Sequence, residues 1–262
     1  MNNIKIAFFD IDGTLIDMEK KIISEKMLET LIGLKKNNIK ICVATGRTPV
    51  SLPKFPGVDF DAFLTFNGSY CFDRYQTIFS NPIPAGDVKT IIENAASIHR
   101  PVSLATRKRL AANGRDKDLV DYYAIAKQEV AVADDFEEVE REEIYQVMMG
   151  CRREEYPRMM QGVRNARITA WWDRAVDIIP ADSGKGTGVR KILEHYRLNK
   201  EEAIAFGDGS NDIEMLQAVG LGVAMENASE QLKDIADDIC GHVAGDGIYH
   251  YCVKHGLIRE QA

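Results

Sequence analysis

Apolar and polar positions follow an alternating pattern along most of this chain. Short, nearly continuous apolar runs, typical of strands buried on both faces, are followed by segments whose apolar residues recur at helical spacing. This order predicts βα units, and their repetition predicts an α/β fold with a doubly wound, Rossmann-like parallel sheet. Strands of this sheet are predicted at residues 4–9, 39–44, 62–66, 203–206 and 221–224.

The pattern changes in the middle of the chain. Between residues 81 and 181 strands and helices no longer alternate regularly, and Pro82 and Pro180 stand near the two ends of this segment. Proline beside small residues is typical of hinges. We therefore predict a discontinuous core domain, residues 1–80 and 182–262, interrupted by an inserted α+β domain over residues 81–181. Within the insertion, helices are predicted at 87–98, 117–127 and 154–163, and strands at 102–105, 145–151, 168–172 and 176–179.

Charge and composition narrow the class of partner. The 262 residues include 33 Lys and Arg against 40 Asp and Glu, a formal net charge of −7, which disfavours binding to nucleic acid or to an anionic membrane. No apolar stretch approaches the roughly 18 residues of a membrane span, and no secretory signal is visible at the N-terminus. The 5 cysteines form no C-x-x-C pair, which suits a reducing compartment. We expect a cytoplasmic protein without an obligatory protein partner.

Charged and small polar residues stand where the predicted core strands end. In open α/β sheets the ligand crevice lies outside the carboxyl ends of the strands, so these residues should meet there. Four converging carboxylates would repel one another unless a cation lay among them, and oxygen ligands without His or Cys favour Mg²⁺. An ammonium group, a hydroxyl group and the N–H of a glycine complete a phosphate-binding site. The residues are Asp10, Asp12, Thr45, Gly46, Lys185, Asp208 and Asp212.

Two familiar nucleotide motifs do not match. A P-loop would need Gly where the chain has Ile179, and Ser or Thr where it has Gly186. A dinucleotide fingerprint that began at Gly207 would need Gly at position 212, which is Asp. The sequence therefore disfavours NAD-binding and P-loop classes.

Four short motifs together resemble those of the haloacid dehalogenase superfamily. They occur in the family's order and at the predicted strand and helix ends, and the resemblance covers the core, residues 1–80 and 182–262. The position of the insertion, with Phe66-Asn67-Gly68 before it, resembles the Cof-like sugar-phosphatase branch, in which such an insertion is a cap that selects the substrate. The motifs are Asp10-Ile-Asp12-Gly-Thr14, Ala44-Thr45-Gly46-Arg47, Ser183-Gly-Lys185-Gly and Gly207-Asp208-Gly-Ser-Asn211-Asp212.

The resemblance implies Mg²⁺-dependent hydrolysis of small phosphomonoesters. It makes Asp10 the nucleophile that forms an aspartyl-phosphate, and Asp12 the acid that protonates the leaving alkoxide and then accepts a proton from water. Mg²⁺ would be bound by Asp10, the backbone carbonyl of Asp12, and Asp208. The phosphoryl group would be held by the backbone N–H of Ile11 and by Thr45, Gly46, Lys185 and Asn211, with Asp212 in a supporting role.

Two other functions stay open at this point. A phosphomutase or phosphotransferase could use the same aspartyl-phosphate, and a regulator could keep the fold and bind a metabolite without turnover.

Three further sets of residues have two interpretations each. Arg47 either faces the crevice or pairs with a carboxylate, and Asn67 is either a turn residue or a site residue. Arg107 and Arg109, in a basic run of the insertion, either form a solvated face or meet a second anionic group of the substrate.

Overall fold

The computed structural model describes residues 3–125, 128–170 and 172–260, which fall into two compact units. The first, called the core unit below, comprises Met1–Gly46, Pro53–Phe79 and Gly184–Ala262. The second, called the inserted unit, comprises Arg47–Leu52 and Ser80–Ser183. Residues 126–127 of one predicted helix and residue 171 of one predicted strand lie outside the described residues.

The core unit is built on a sheet of eight strands in the order β13-β12-β11-β1-β2-β3-β4-β5. The strands from β13 to β3 pair in parallel, and β4 pairs with β3 in antiparallel orientation. Chain order reverses between the central strands β1 and β11. The carboxyl ends of these two strands therefore mark the topological switch point, at which α/β folds bind ligands. The strands are β1 (Ile6–Phe9), β2 (Lys40–Ala44), β3 (Ala62–Thr65), β4 (Tyr70–Asp73), β5 (Thr77–Ser80), β11 (Ala203–Gly207), β12 (Leu221–Ala224) and β13 (Asp238–Ile239).

Strands β1 and β11 form the centre of this sheet because both are apolar on both faces. Every residue of each strand is buried. Phe9 and Phe206 are in register on the two strands, and their rings stack at 5.3 Å between centroids. Apolar burial of this kind is the main stabilising term of a fold, at about 25 cal/mol per Å². The residues that follow these strands are therefore held on a rigid support.

Five α-helices lie in the described part of the core unit. Ser24 caps the first helix by accepting a hydrogen bond from Met27 N at 3.0 Å. This helix, α1 (Glu25–Lys36), packs on α9 (Gly247–Lys254) and on β2. Helices α6 (Lys185–Tyr196) and α7 (Ile213–Gln217) pack on each other; α6 also packs on β3 and β4, and α7 on β11 and β12. The fifth of these helices is α8 (Glu230–Ile235).

The inserted unit has an antiparallel sheet of five strands in the order β7-β6-β8-β10-β9. One face of the sheet packs on its helices through a buried cluster that includes Ile91, Leu104, Val147 and Ile178. The strands are β6 (Val102–Ala105), β7 (Leu110–Ala112), β8 (Gln146–Gly150), β9 (Ala166–Thr169) and β10 (Ala175–Pro180). The helices are α2 (Ala85–Ser97), α3 (Lys117–Ile125), α4 (Phe136–Val139) and α5 (Tyr156–Met159).

The predicted α/β fold class, with a parallel core sheet and an inserted α+β domain, is confirmed. Several elements differ from the prediction. The helix predicted over 154–163 is shortened to α5, because the chain turns after Met159 and passes through a left-handed Gly162 at φ +80°. Strands β4, β5 and β7 were not predicted, since each has only three or four residues and none is buried along its whole length, so they lack the continuous apolar run of the other strands.

No helix among residues 3–125, 128–170 and 172–260 is both long and apolar enough to cross a membrane.

Candidate active site

The loop after β1 brings two carboxylates and a tight turn to the switch point of the core sheet. Asp10 is 6% exposed, and its N–H donates to Phe206 O at 3.1 Å, which ties the end of β1 to β11. Ile11 is fully buried, and its carbonyl accepts hydrogen bonds from the N–H groups of Leu15 and Ile16. Asp12 is half-buried on the same turn. The apolar strand thus places both acidic residues of the first motif directly beyond its carboxyl end.

Gly13 allows this loop to approach the loop after β11. Its φ is +89°, and a Cβ atom at this position would overlap the carboxylate of Asp208. The neighbouring Thr14 donates its hydroxyl proton to Asp208 Oδ1 at 2.9 Å. Gly13 therefore leaves space for the carboxylate of Asp208, and Thr14 orients that carboxylate.

Lys185 is the buried cation of the site. It is the first residue of α6 and is 1% exposed, and its Nζ lies 2.5 Å from Asp10 Oδ1 and 2.5 Å from Asp212 Oδ1. Burial favours the neutral amine, but the charges of Asp10 and Asp212 outweigh burial and raise the pKa of Lys185. The ammonium group is therefore charged at any physiological pH and joins two strand ends.

Asp212 holds the loop after β11 in shape with both of its oxygens. Oδ1 accepts from Lys185, and Oδ2 accepts from the backbone N–H groups of Asp208 at 3.0 Å and Gly209 at 2.9 Å. The side chain is fully buried. An acid in this position fixes the backbone that carries Asp208.

The charges at the switch point do not balance among the described residues that form it. Carboxylate oxygens of Asp10, Asp208 and Asp212 all lie within 4.8 Å of one another, with Lys185 among them. Burial, and then the charge of Asp212, raise the pKa of Asp208 to about 7. Burial also raises the pKa of Asp10 well above its ordinary value; Lys185 opposes this, and the neighbouring carboxylates, including Asp12, add to it. A site that pushes its own acids toward the protonated form is suited to a cation.

The donor set agrees with a hard divalent cation. All three side chains offer carboxylate oxygens, the ligands that Mg²⁺ prefers, and the group contains neither His nor Cys. Mg²⁺ usually takes only one or two protein carboxylates and keeps several waters, so the group has sufficient ligands. Asp212, to which we gave only a supporting role, belongs to this group together with Asp10 and Asp208.

The ends of β2 and β3 bring uncharged polar groups to the same edge of the core sheet. Thr45 is 1% exposed, and its N–H donates to Leu64 O at 2.9 Å. Asn67, 3% exposed, donates its N–H to Thr45 O at 3.1 Å and accepts a hydrogen bond from Asn211 Nδ2 at 3.2 Å. A Cβ atom at Gly46 would lie 3.0 Å from the amide group of Asn67. These contacts join Thr45, Gly46, Asn67 and Asn211 in one cluster within the core unit.

The three candidate arginines lie in the inserted unit, and each is engaged there. Arg47 donates from Nη1 to Ser51 O at 3.1 Å. Arg107 pairs with Glu143 at 2.9 Å. Arg109 pairs with Asp135 at 2.6 Å and with Glu142 at 2.9 Å, all three side chains being about two-fifths exposed. These ion pairs favour the interpretation of the basic run as a solvated ionic face.

Two contributors to the site were not singled out from the sequence. Thr14 stands inside the first motif, and that position was the available signal, but its role depends on Asp208, 194 positions away. Asn227 donates from Nδ2 to Gly13 O at 2.8 Å and accepts from Val243 N at 3.0 Å. An asparagine in a loop gives no signal of such a distant partner.

Comparison with known proteins agrees with this geometry. The sequence model of a family described as haloacid dehalogenase-like hydrolases matches residues 7–252. A putative phosphatase of Bacillus subtilis, YkrA, is 30% identical over 257 residues, which are 97% of this chain and 99% of that protein.

Two solved structures are similar over almost the whole chain. BT1666 from Bacteroides thetaiotaomicron, described among phosphatases of the haloalkanoate superfamily, is 31% identical with a TM-score of 0.89, over 97% of this chain and 96% of that one. BT4131, described as a subclass IIB sugar phosphatase, is 28% identical with a TM-score of 0.87, over 97% and 100% of the two chains.

Proposed function

The chain belongs to the haloacid dehalogenase-like hydrolases of the Cof-like type and is a phosphatase, and we propose that it hydrolyses small phosphomonoesters with Mg²⁺ and an aspartyl-phosphate at Asp10. The observation that carries the proposal is the position of Lys185 Nζ, 2.5 Å from both Asp10 and Asp212, inside a group of three carboxylates. Such a site attracts a phosphate dianion only when a cation is added to it, and it then surrounds the anion with positive charge.

Asp10 is the nucleophile in this proposal. One of its carboxylate oxygens forms a bond to phosphorus while the bond from phosphorus to the ester oxygen breaks, and the ester oxygen leaves with the electron pair. The contact with Lys185 favours the ionised carboxylate that this step requires, against the opposing effect of burial. The rigid end of β1 holds the nucleophile in line for attack.

Asp12 is the general acid and base. It donates a proton to the leaving alkoxide, which departs as the free alcohol, and it then accepts a proton from the water that attacks the aspartyl-phosphate. Attack by that water releases inorganic phosphate and restores the carboxylate of Asp10. Asp12 lies two residues beyond Asp10 on the same tight turn, half-buried, where one acid is able to serve both steps.

Mg²⁺ would be held by the carboxylates of Asp10 and Asp208 and by the backbone carbonyl of Asp12, and it supplies positive charge that offsets the charge of the phosphate. Thr14 orients Asp208 for this purpose, and Asp212 fixes the loop that carries it. The phosphoryl oxygens would be held by Lys185, Thr45, Gly46, Asn211 and the N–H of Ile11.

Sugar phosphates and related phosphorylated metabolites are the proposed substrates. The similar structure BT4131 is described as a sugar phosphatase, and the similarity covers 97% of this chain. We assign the choice among esters to the inserted unit, residues 81–181 in the division that the sequence predicts.

Release of inorganic phosphate from a panel of sugar, nucleotide and cofactor phosphates, with and without Mg²⁺, tests the proposal. Asp10→Asn keeps the size of the side chain and removes the nucleophile, so release should fall by a factor on the order of a thousand or more. Asp59→Asn makes the same chemical change at an exposed position of the core unit and should leave the rate unchanged.

Each other outcome has a defined meaning. Release that does not depend on Mg²⁺, or that survives Asp10→Asn, would contradict the mechanism. Accumulation of an isomeric sugar phosphate in place of free phosphate would identify a mutase, and a folded protein that releases no phosphate from any ester would contradict the proposed function.

A further inference from the structure

We infer that the turn Phe66–Gly68, which joins β3 to β4, is the positioning element that sets the spacing of three phosphate-holding loops, and that Asn67 is its principal side chain. The inference rests on the proposed function, because that proposal assigns Thr45, Lys185 and Asn211 to the phosphoryl group. Asn67 is a positioning residue here, since at 3% exposed it acts through the residues it contacts.

The backbone of this turn has an uncommon conformation. Phe66 has φ +51°, Asn67 has φ +51° and ψ +34°, and Gly68 has φ +94°, so three consecutive residues lie in the left-handed region. Glycine adopts it freely and asparagine tolerates it, but a phenylalanine there is strained. Strain of this kind persists only where the surroundings hold the chain in place, and it clusters at functional sites. The contacts of the turn therefore indicate its purpose.

Asn67 contacts two of the three loops. Its backbone N–H donates to Thr45 O at 3.1 Å, and its amide group lies so close to Gly46 that a Cβ there would stand 3.0 Å away. Its Oδ1 accepts from Asn211 Nδ2 at 3.2 Å, which orients the side chain of Asn211. One residue thus bonds the loop after β2 and the loop after β11.

Gly68 contacts the third loop. A Cβ atom at Gly68 would overlap the carbonyl group of Gly184 and would lie 3.2 Å from the backbone nitrogen of Lys185. The turn is therefore packed against the start of α6, the element that presents the lysine ammonium group to Asp10 and Asp212. A larger residue at position 68 would displace that start.

These contacts place one short turn against three loops that come from different parts of the chain. Phosphoryl transfer depends mostly on positioning, and a misplacement of about 1 Å costs on the order of a hundredfold in rate. A turn that sets the distances between the loops should therefore affect the affinity for phosphate and the rate, even without touching the substrate.

Asn67→Gly is the decisive variant, because it removes the amide group while it keeps a residue that accepts φ +51° without strain. We expect the folded protein to keep its melting temperature and its affinity for Mg²⁺ alone. The affinity for inorganic phosphate in the presence of Mg²⁺, measured by calorimetry, should fall by about tenfold, and kcat/KM by on the order of tenfold to a hundredfold.

Asn38 provides a matched control. It is an exposed asparagine of the core unit with φ +60°, outside the site. Asn38→Gly changes the same residue type in the same backbone conformation, so it should alter neither the affinity for phosphate nor the kinetic constants. A double variant, Asn67→Gly with Asn211→Ala, should lose less than the product of the two single effects, because Asn67 acts partly through Asn211.

The outcomes separate this inference from the proposed function. Wild-type protein that hydrolyses esters, together with an Asn67→Gly variant whose phosphate affinity and kinetic constants match those of wild type, overturns the inference and leaves the function intact. Wild-type protein without phosphatase activity overturns the function, and the binding measurements then decide the inference alone. Wild-type protein that binds no inorganic phosphate overturns the inference, since no phosphate-holding loops would exist to be positioned.

Discussion

The two units of this protein both contain dense groups of charged side chains, but the groups differ in balance. In the core unit, Asp10, Asp208 and Asp212 surround a single Lys185. Among the described residues of the inserted unit, four cations face four carboxylates in a continuous network. Its members are Arg100, Lys117, Arg152, Arg174, Asp116, Asp118, Asp121 and Glu155.

The pKa values of Glu155 in the inserted unit and Asp208 in the core unit shift in opposite directions. In the inserted unit, burial would raise the pKa of Glu155, but hydrogen bonds from Arg100 and from the N–H of Arg152 outweigh burial, and the pKa is lowered. In the core unit, burial and Asp212 raise the pKa of Asp208 to about 7. The surroundings of Glu155 thus supply enough positive charge for the ionised carboxylate, whereas those of Asp208 still require positive charge. The direction of the carboxyl pKa shift thus distinguishes a stabilising ion-pair network from a binding site.

Removing Lys185 should have the largest effect on stability of any single change in either group. Lys185→Met leaves two buried carboxylates without their cation, which should destabilise the core unit by about 3–5 kcal/mol and reduce kcat by on the order of a thousandfold. Melting curves and phosphate release measure the two effects. Lys191→Met, a half-exposed lysine of the same helix, serves as the control and should change little. Retained activity in Lys185→Met would place the phosphate site elsewhere.

Removing the central cation of the inserted unit should affect stability without affecting the cation site. Arg100 donates to Asp116, Asp118 and Glu155 and is 18% exposed, so Arg100→Met should cost about 2 kcal/mol after allowance for solvent screening. The affinity for Mg²⁺, measured by titration, should equal that of wild type. A variant that loses Mg²⁺ affinity while it remains folded would show that the two groups are coupled.

Mg²⁺ should stabilise the protein more at high pH than at low pH. Because the pKa of Asp208 is raised to about 7 in the fold, the metal-free folded state binds more protons than the unfolded state between about pH 4 and pH 7, so stability falls as pH rises through this range. Mg²⁺ replaces the proton, so its effect on the melting temperature should be larger at pH 8 than at pH 5.5, by about 3 °C or more.

Asp208→Asn tests the origin of that difference. The amide cannot ionise, so the metal-free variant should be more stable than wild type at pH 8, and Mg²⁺ should stabilise it little at either pH. Equal stabilisation of the wild type by Mg²⁺ at pH 5.5 and pH 8 would contradict the prediction, because it would show that Mg²⁺ displaces no proton from Asp208.

The smallest effect is expected at Arg109. Its guanidinium group is exposed and already paired with Asp135 and Glu142, so Arg109→Ala should leave kcat/KM within about twofold for every ester. The alternative, that Arg109 binds a second anionic group of the substrate, requires a selective loss for esters that carry such a group. The ratio of kcat/KM between a singly and a doubly phosphorylated sugar distinguishes the two.

The strand ends of the core unit were accessible from sequence because they depend on local pattern. Asp10, Thr45 and Asp208 each follow an apolar run, and parallel strands that share one direction bring their ends to one edge. Lys185 was accessible through its motif at the start of a helix. The fold class, the family and the phosphatase activity followed from these positions and are confirmed. The individual roles of the site residues stay predictions.

The pairing of individual charges was not accessible in this way, because it depends on distances between residues far apart in the chain. The pairing of Lys185 with Asp10 spans 175 positions, and that of Arg109 with Asp135 spans 26. A run of charged residues has the same sequence pattern whether it is solvated or paired. The sequence therefore did not show that the basic run with Arg109 meets the acidic stretch with Asp135.

Local pattern along this chain thus establishes which residues stand at the ends of strands and helices, since hydrophobic periodicity and turn chemistry act between near neighbours. The left-handed turn at Phe66–Gly68, the contact of Thr14 with Asp208 and the pairing of Lys185 with both Asp10 and Asp212 arise only when those ends pack together. The physical reason is that burial and electrostatic energy depend on distance in space, and the folded packing alone fixes that distance.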